Sequence, residues 1–305
     1  MRPRKPWFRL KGTLNREDAR VIFALEEICV RADGTAFKLE LDYKLSAAEV
    51  KSAQGVNWDV NELMAFDGDQ LIGYLGVGCF GGPGAPPEAM GMVHPDYRRQ
   101  GVFRALSGLA QAEWRRRNIR SALLLSDGRS EAGRDFIRKT GAQHHHSEYE
   151  MALRQDADLS RWPDLDVVFR KATNADAPEV ARQNPIYFGE ERADDGEEKA
   201  LLMPEEEEKR GMTIYLAEAA GQVIGKVHLQ LLSSLGGIYG LGVLPEFRGR
   251  GLGRAVLIAG VERLKAEGAE KVMLQVETRN HNALRLYESC GFETTSVMDY
   301  YALSL

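Results

Sequence analysis

The sequence predicts a mixed α/β (α+β) fold in two tandem domains, each a twisted, mainly antiparallel sheet flanked by helices. Three observations lead there. The chain has 305 residues, which is enough for two domains of ordinary size. Residues 93–141 align without a gap onto residues 243–291, an internal duplication. Within both copies a short apolar strand, a glycine-containing turn, an amphipathic helix, a second strand and a second helix follow in that order.

Identities carry the duplication. Val93 falls on Val243, Pro95 on Pro245, Arg98 on Arg248 and Gly101 on Gly251. Arg104 and Ala105 fall on Arg254 and Ala255, Leu124 on Leu274, Arg129 on Arg279, and Gly141 on Gly291. Asn118 and Gly268 stand where the two long helices need a stop. Upstream, residues 61–80 predict a hairpin turning at Asp67-Gly68, and residues 212–232 predict its counterpart turning near Gly221. Helices are expected from Asn15 to Val30 and from Asp176 to about Phe188, the second capped by Asn174. Residues 81–87 form a loop rich in Gly and Pro, and the polar stretch 154–166, with Pro163, marks the domain boundary. The expected domains are therefore 12–153 and 165–303.

Bulk chemistry removes several function classes. The 40 basic and 45 acidic residues leave a net charge of -5, so nonspecific nucleic-acid binding has no electrostatic support. Cys29, Cys79 and Cys290 are isolated and odd in number, which indicates reduced thiols rather than a zinc site or a disulfide framework. No apolar run of about 18 residues occurs, and the basic start of the chain has no apolar stretch behind it, so neither a membrane span nor a secretory signal is expected. The expected location is cytoplasmic.

The turn Arg248-Gly249-Arg250-Gly251-Leu252-Gly253 lies between a strand and a helix start. Glycines let the backbone approach an anion and expose successive N–H groups. The helix N-terminus adds partial positive charge, and Arg248 and Arg250 add charge-assisted hydrogen bonds. Such a turn suits a pyrophosphate. A dinucleotide site is disfavoured, because the turn follows a hairpin and no suitably placed acidic residue ends a second parallel strand.

With these residues the C-terminal half, about residues 165–303, resembles the GNAT (GCN5-related N-acetyltransferase) family. Arg248, Gly251 and Gly253 match its acetyl-CoA loop; Asn280, Ala283, Leu286-Tyr287-Glu288 and Gly291-Phe292 match its downstream motif. The resemblance implies two tandem GNAT-like acyl-CoA N-acyltransferase domains, similar in layout to mycothiol synthase-like proteins. It implies acetyl-CoA as acyl donor with no metal, and an amine on a small molecule or peptide as acceptor. Leu241, Gly242 and Val243 would meet the pantetheine and acyl carbonyl, Gly249 to Gly253 the pyrophosphate, and Asn280 the cofactor. Tyr287 would protonate the departing thiolate, with direct attack in a ternary complex and no enzyme nucleophile. Neither nucleic acid nor membrane is an expected partner, and a homodimer is left open.

The base is sought at Glu277, which ends its strand and reads either as base or water-positioner, or as a solvated carboxylate. The N-terminal half also resembles a GNAT domain but departs from it: Phe103 stands for Gly253, Ile137 for Tyr287 and Ser130 for Asn280. Residues 12–153 are therefore expected to be a degenerate copy. Alternative readings are a non-catalytic acyl-CoA-binding regulatory protein, or activity residing in the N-terminal domain. Residues 189–210 hold ten acidic and four basic side chains, read as a solvated face or as an acidic rim drawing in a cationic amine. His144-His145-His146 is read as a solvated loop, and Tyr300 and Tyr301 as strand packing.

Overall fold

The computed structural model describes residues 6–51, 59–78, 85–160, 167–188 and 201–305. The chain folds as two units. One comprises the chain up to Glu148 together with Ser296–Leu305; the other comprises Tyr149–Thr295.

The first unit begins with β1 (Trp7–Lys11), α1 (Arg16–Asp33), α2 (Leu41–Lys51), β2 (Glu62–Asp67), β3 (Gln70–Gly78) and β4 (Glu88–Val93). It continues with α3 (Val102–Arg116), β5 (Ser121–Asp127), α4 (Glu131–Thr140) and the start of β6 (Gln143–Leu153). The second unit holds β7 (Val168–Lys171), α5 (Ala177–Phe188), α6 (Pro204–Lys209), β8 (Met212–Ala219), β9 (Gln222–Leu232) and β10 (Leu235–Val243). It adds α7 (Leu252–Ala266), β11 (Lys271–Glu277), α8 (His281–Ser289) and the start of β12 (Phe292–Ser304).

Strand order is β1-β2-β3-β4-β5-β12 in the first unit and β6-β11-β10-β9-β8-β7 in the second. The pairs β4/β5 and β10/β11 are parallel, while the hairpin pairs β2/β3, β3/β4, β8/β9 and β9/β10 are antiparallel. Local chemistry explains the ends. Asn15 caps α1 in a reciprocal box with Asp18. Asn118 and Gly268 take the left-handed conformation expected of helix stops, and Gly68 and Gly221 do so in the hairpin turns.

Each sheet is apolar on both faces. In the first unit Ile22, Leu25, Met64, Met90 and Met92 pack on the α1 face, and Leu63, Ile72, Leu106 and Trp114 on the α3 face. In the second, Val227, Leu229, Ile238, Val256 and Leu257 pack on the α7 face, and Val180, Ile214 and Leu216 on the α5 face. Alternation along each strand distributes these residues between the faces.

Three expectations are corrected. The C-terminal end of β12 does not stay with the second unit, as the boundary 165–303 required. Met298 to Ser304 pair with Asp127 to Ser121 of β5, and Met298 and Tyr300 join the α1-face core. A seven-residue ladder that buries Tyr300 gains more there than any local turn signal specifies. Thr173, not Asn174, caps the helical segment leading into α5, in a box with Asp176; the Asn174 side chain instead exchanges hydrogen bonds with Glu205. His144 to His146 lie on β6, with the His146 ring stacked on Tyr300 at 4.1 Å, rather than in a loop. Residues 81–84 of the expected loop and 161–166 of the expected linker lie outside the described residues.

Candidate active site

In the second unit the parallel ladder of β10 and β11 runs from Leu235↔Lys271 to Ile238↔Leu274. Both strands continue beyond it, to Val243 and Glu277, so an opening widens between them. On its other edge β10 stays paired to β9, through a bulge between Tyr239 and Gly242, with Gly242 opposite Lys226 and Val243 opposite Gly225. Gly225 is required there: a Cβ would lie 2.3 Å from the Gly242 carbonyl oxygen. Gly242 lies against the ring of Tyr187, where an added Cβ would stand 2.3 Å from Cδ2.

The turn after β10 carries the predicted anion loop. Gly249 (φ +76) and Gly251 (φ +79) both sit in the left-handed region, which a side chain would strain. Gly251 is the N-cap of α7 and supplies no side-chain cap, so the first amides of a 15-residue helix face outward with the positive end of its dipole. Arg248 does not point freely at this mouth: its Nε donates to the Val243 carbonyl over 2.9 Å. Arg250 is exposed, its guanidinium 5.9 Å from the Phe247 ring centroid. Gly253 faces Leu286 and Val243 at ordinary contact distances, 3.6 and 3.8 Å from a would-be Cβ.

Tyr287 lies on α8, 7 % exposed, in the core cluster that also holds Val243 and faces α7. Burial pushes its phenol up to about 12, so it keeps its proton at neutral pH. Asn280 is the N-cap of α8, its Oδ1 accepting from the Ala283 amide over 3.2 Å. Ser130 does the same for α4, accepting from the Gly133 amide over 3.1 Å. The substitution between the copies thus keeps the cap. Glu277 ends β11 exposed to solvent, and its backbone carbonyl accepts from the Asn280 amide. Leu241 is partly buried against the α7-face core.

The first unit repeats the opening. Its parallel ladder is Glu88↔Leu123 and Ala89↔Leu124, with β4 running on to Val93 and β5 to Asp127. Arg98 Nε donates to the Val93 carbonyl over 3.0 Å, as Arg248 does to Val243. Between the strands lies a cavity of about 780 Å³, lined among others by Arg99, Gly101, Val102, Ser126 and Ser130. Phe103 does not close it. Its ring turns against Phe136, edge to face at 4.6 Å, over Gly91, where an added Cβ would meet it at 2.8 Å.

Sequence reasoning missed a polar row on β9. Lys226, His228 and Gln230 alternate with Val227, Leu229 and Leu231, a pattern that reads as a solvated face. The structure covers that face with α5. Lys226 is wholly buried and Gln230 is 4 % exposed. Burial holds the Lys226 ammonium down at about 8, and burial followed by the Lys226 charge holds His228 well below its usual range.

Part of the acidic stretch has structural partners. Glu205 binds Asn174, Glu206 binds Lys209, Glu207 binds Arg210 and Glu208 binds Lys171. Residues 189–200 of that stretch lie outside the described residues. Among the described residues there is no group of three or more His, Cys, Asp or Glu arranged to hold a metal, and no helix is long and apolar enough to cross a membrane.

Comparison with known proteins adds to the geometry. The family model described as "Acetyltransferase (GNAT) family" matches residues 179–292. Mycothiol acetyltransferase of Mycobacterium sp. (strain JLS) is 32% identical over 259 residues, spanning 79% of this chain and 82% of the relative. Mycothiol acetyltransferase of Thermobispora bispora is 29% identical over 296 residues, spanning 92% of this chain and 94% of its own. Among solved structures, a GCN5-related N-acetyltransferase from Sphaerobacter thermophilus superposes with a TM-score of 0.71 at 19% identity, covering 100% of this chain and 97% of that one. A tandem GNAT protein from the clavulanic acid biosynthesis pathway does so with a TM-score of 0.71 at 17% identity, covering 98% of both chains. These two share the fold.

Proposed function

The chain belongs to the GNAT acetyltransferase family, and from that premise we propose that its C-terminal unit transfers an acetyl group from acetyl-CoA to a primary amine of a small molecule or peptide. The observation that carries the reading is the opening between β10 and β11. Gly251-capped α7 stands at its mouth, and Tyr287 belongs to the same core face. The amides after Gly251 suit the pyrophosphate, with Arg250 adding charge. Arg248 acts by tying the turn to the strand end. The backbone of Leu241 to Val243 is read as the frame for the pantetheine and thioester, where an N–H stabilises the developing oxyanion. Tyr287 O–H protonates the departing sulfur.

Direct attack requires both substrates together and no covalent enzyme intermediate, which leaves the buried Cys290 without a chemical task. A mycothiol-related amine, after the name of the relatives, heads the acceptors to be tried. A cytoplasmic location fits this use of acetyl-CoA.

The cavity of the first unit favours a second reading beside the first. That unit holds a second acyl-CoA without turning it over, since Ile137 stands where the proton donor would be.

The test is thiol release from acetyl-CoA with a panel of amines. Tyr287→Phe is expected to lower turnover by roughly 10²-fold or more, and Gly251→Trp to abolish it. Full activity in both variants would remove the C-terminal site from consideration.

A further inference from the structure

We propose that Lys226 and His228 form the proton-accepting pair of the C-terminal site, taking the proton that the acceptor amine must lose. The proposal rests on the reading that this unit is the one that transfers acetyl.

The pair stands beside the β10 bulge that the proposed thioester frame contains. On β9, residues 226, 228 and 230 share the α5 face with Leu216 and Ile214, which oppose Lys226 and His228 across the β8 ladder. Tyr287 and α7 occupy the other face. Lys226 lies opposite Gly242 on β10, beside the bulge and beyond the point where the parallel pairing with β11 stops. Its Nζ is 3.1 Å from Nε2 of His228 and 3.4 Å from the Gly240 carbonyl oxygen, with the Tyr187 ring centroid 5.5 Å away. The ammonium is thus anchored to the bulge itself. By surface area His228 is partly exposed while Lys226 is wholly buried, which makes His228 the member of the pair nearer to solvent. Gly240, at φ +57, lets the backbone lie against that ring, where an added Cβ would stand 3.2 Å from Cγ.

A second observation marks this face as a polar site. The Nε2 atom of Gln230, next in the row, is buried and has no hydrogen-bond partner among the described residues. A buried donor left so costs about 1–3 kcal/mol unless a ligand accepts from it.

The first unit shows what the same position looks like when its charge is closed off. Gly73 pairs with Val93 as Gly225 pairs with Val243, so Tyr74 holds the place of Lys226. Tyr74 O–H and Lys44 Nζ both bind the buried Glu62 carboxylate there, Lys44 at 3.0 Å. Glu62 faces Gly76 on the neighbouring strand; its counterpart, facing His228, is Ile214. At these equivalent positions the first unit thus has a carboxylate and a phenol where the second has an apolar residue and an amine.

Among the described residues, the groups that face the pair are these. On α5, Tyr187 donates to Gln183, and Glu179 is held by Arg182 and Gln183. β8 presents Ile214 and Leu216, and β10 presents Tyr239, opposite His228. Arg248 and Glu246 act on Tyr187 rather than on the amine. Each α6 carboxylate from Glu205 to Glu208 is engaged elsewhere.

The step balances. The acceptor arrives as R–NH₃⁺ and gives one proton to the neutral pair, with Lys226 as its final holder. R–NH₂ attacks the thioester carbonyl; the C–N bond forms and the C–S bond breaks. Tyr287 protonates sulfur and recovers a proton from the nitrogen through solvent, and Lys226 releases its own to water. The products are R–NH–acetyl, CoA–SH and one proton.

The test uses the full chain with acetyl-CoA and whichever of tyramine and spermidine, whose amines titrate well above about 8, is turned over faster. In the wild type, kcat/KM should rise with pH to a midpoint of about 8. In Lys226→Met it should fall about 100-fold at pH 8, with the limb moved up to the amine's own pKa and acetyl-CoA affinity unchanged. A retained limb and rate in Lys226→Met, while Gly251→Trp abolishes turnover, overturns the pair and leaves the site standing. Full turnover in Gly251→Trp overturns the site, and the pair with it. Lysine NMR on the wild type decides the matter without turnover. One amine titrating near 8 and lost in Lys226→Met supports the pair; every lysine titrating near about 10.4 overturns it.

Discussion

Arg248 donates through Nε to the carbonyl of Val243 over 2.9 Å, and so joins the last residue of β10 to the turn that opens α7. The same bond recurs between Arg98 and Val93 in the first unit, at 3.0 Å. A guanidinium used this way sets the turn's position before any ligand arrives. Arg248→Ala is expected to weaken acetyl-CoA binding at the second unit by about ten- to a hundredfold, matching about 1.5–3 kcal/mol for a hydrogen bond to a charged group. Titration calorimetry on a Gly101→Trp background isolates the second unit and checks this.

Gly225→Ala tests the close approach of β9 to the bulge. Its Cβ would meet the Gly242 carbonyl oxygen at 2.3 Å, and backbone cannot step aside as a side chain does. A loss of about 1–3 kcal/mol in urea unfolding is expected, together with lower turnover because the bulge frames the thioester.

Tyr287→Phe separates packing from proton donation. The ring remains in the core beside Phe292, 6.1 Å between centroids, so thermal stability should hardly change while kcat falls. Because burial raises the phenol to about 12, the protonated donor persists through the whole working range. The wild-type kcat should therefore show no basic limb from this group below about pH 11. A limb near pH 9 that Tyr287→Phe removes would contradict this role.

Lys226 also makes a stability prediction. Its ammonium is held at about 8 in the fold, against about 10.4 in the unfolded chain. Between these values the unfolded chain binds more protons, so stability rises with pH from about 8 to about 10. Below that window the charge is buried at a cost, and Lys226→Met should stabilise the second unit at pH 7 by on the order of 1–3 kcal/mol. Urea unfolding at pH 7 and pH 10 measures both the gain and its disappearance. A variant less stable at pH 7 would show that the amine is held by favourable contacts instead.

Removing residues 297–305 should unfold the first unit rather than the second, because that segment pairs with β5 and buries Met298, Tyr300 and Leu303. Each such side chain contributes about 1.5–3 kcal/mol. Limited proteolysis should cut first within residues 6–148 of the truncated chain.

How much of this was legible in the sequence follows the range of each signal. The left-handed positions Asn118, Gly268, Gly68 and Gly221 are dictated by their own turns, and all four occur as read. So does the strand-turn-helix order around Gly251, which two neighbouring glycines impose. The destination of the β12 end was hidden, since pairing of Tyr300 with Leu125 joins residues far apart in the chain. The row Lys226, His228 and Gln230 went unnoticed for a different reason: alternation reveals that a strand has two faces, but not that α5 covers the polar one. The cap moved by one residue, because Thr173 and Asn174 are both competent caps and only Asp176 chooses between them. Phe103 could be placed beside the anion loop, yet the space that Gly91 leaves for its ring appears only in three dimensions.

The central claim is that the amides following Gly251 hold the pyrophosphate of acetyl-CoA. Amide hydrogen exchange at Leu252 and Gly253, with and without saturating acetyl-CoA, tests it most directly. These are the first two residues of α7, whose N-cap Gly251 supplies no side-chain cap, so they should exchange fast alone and markedly slower with the ligand. Equal exchange in both conditions, with protection only around Gly101 and Val102, would contradict the account and move the donor to the first unit.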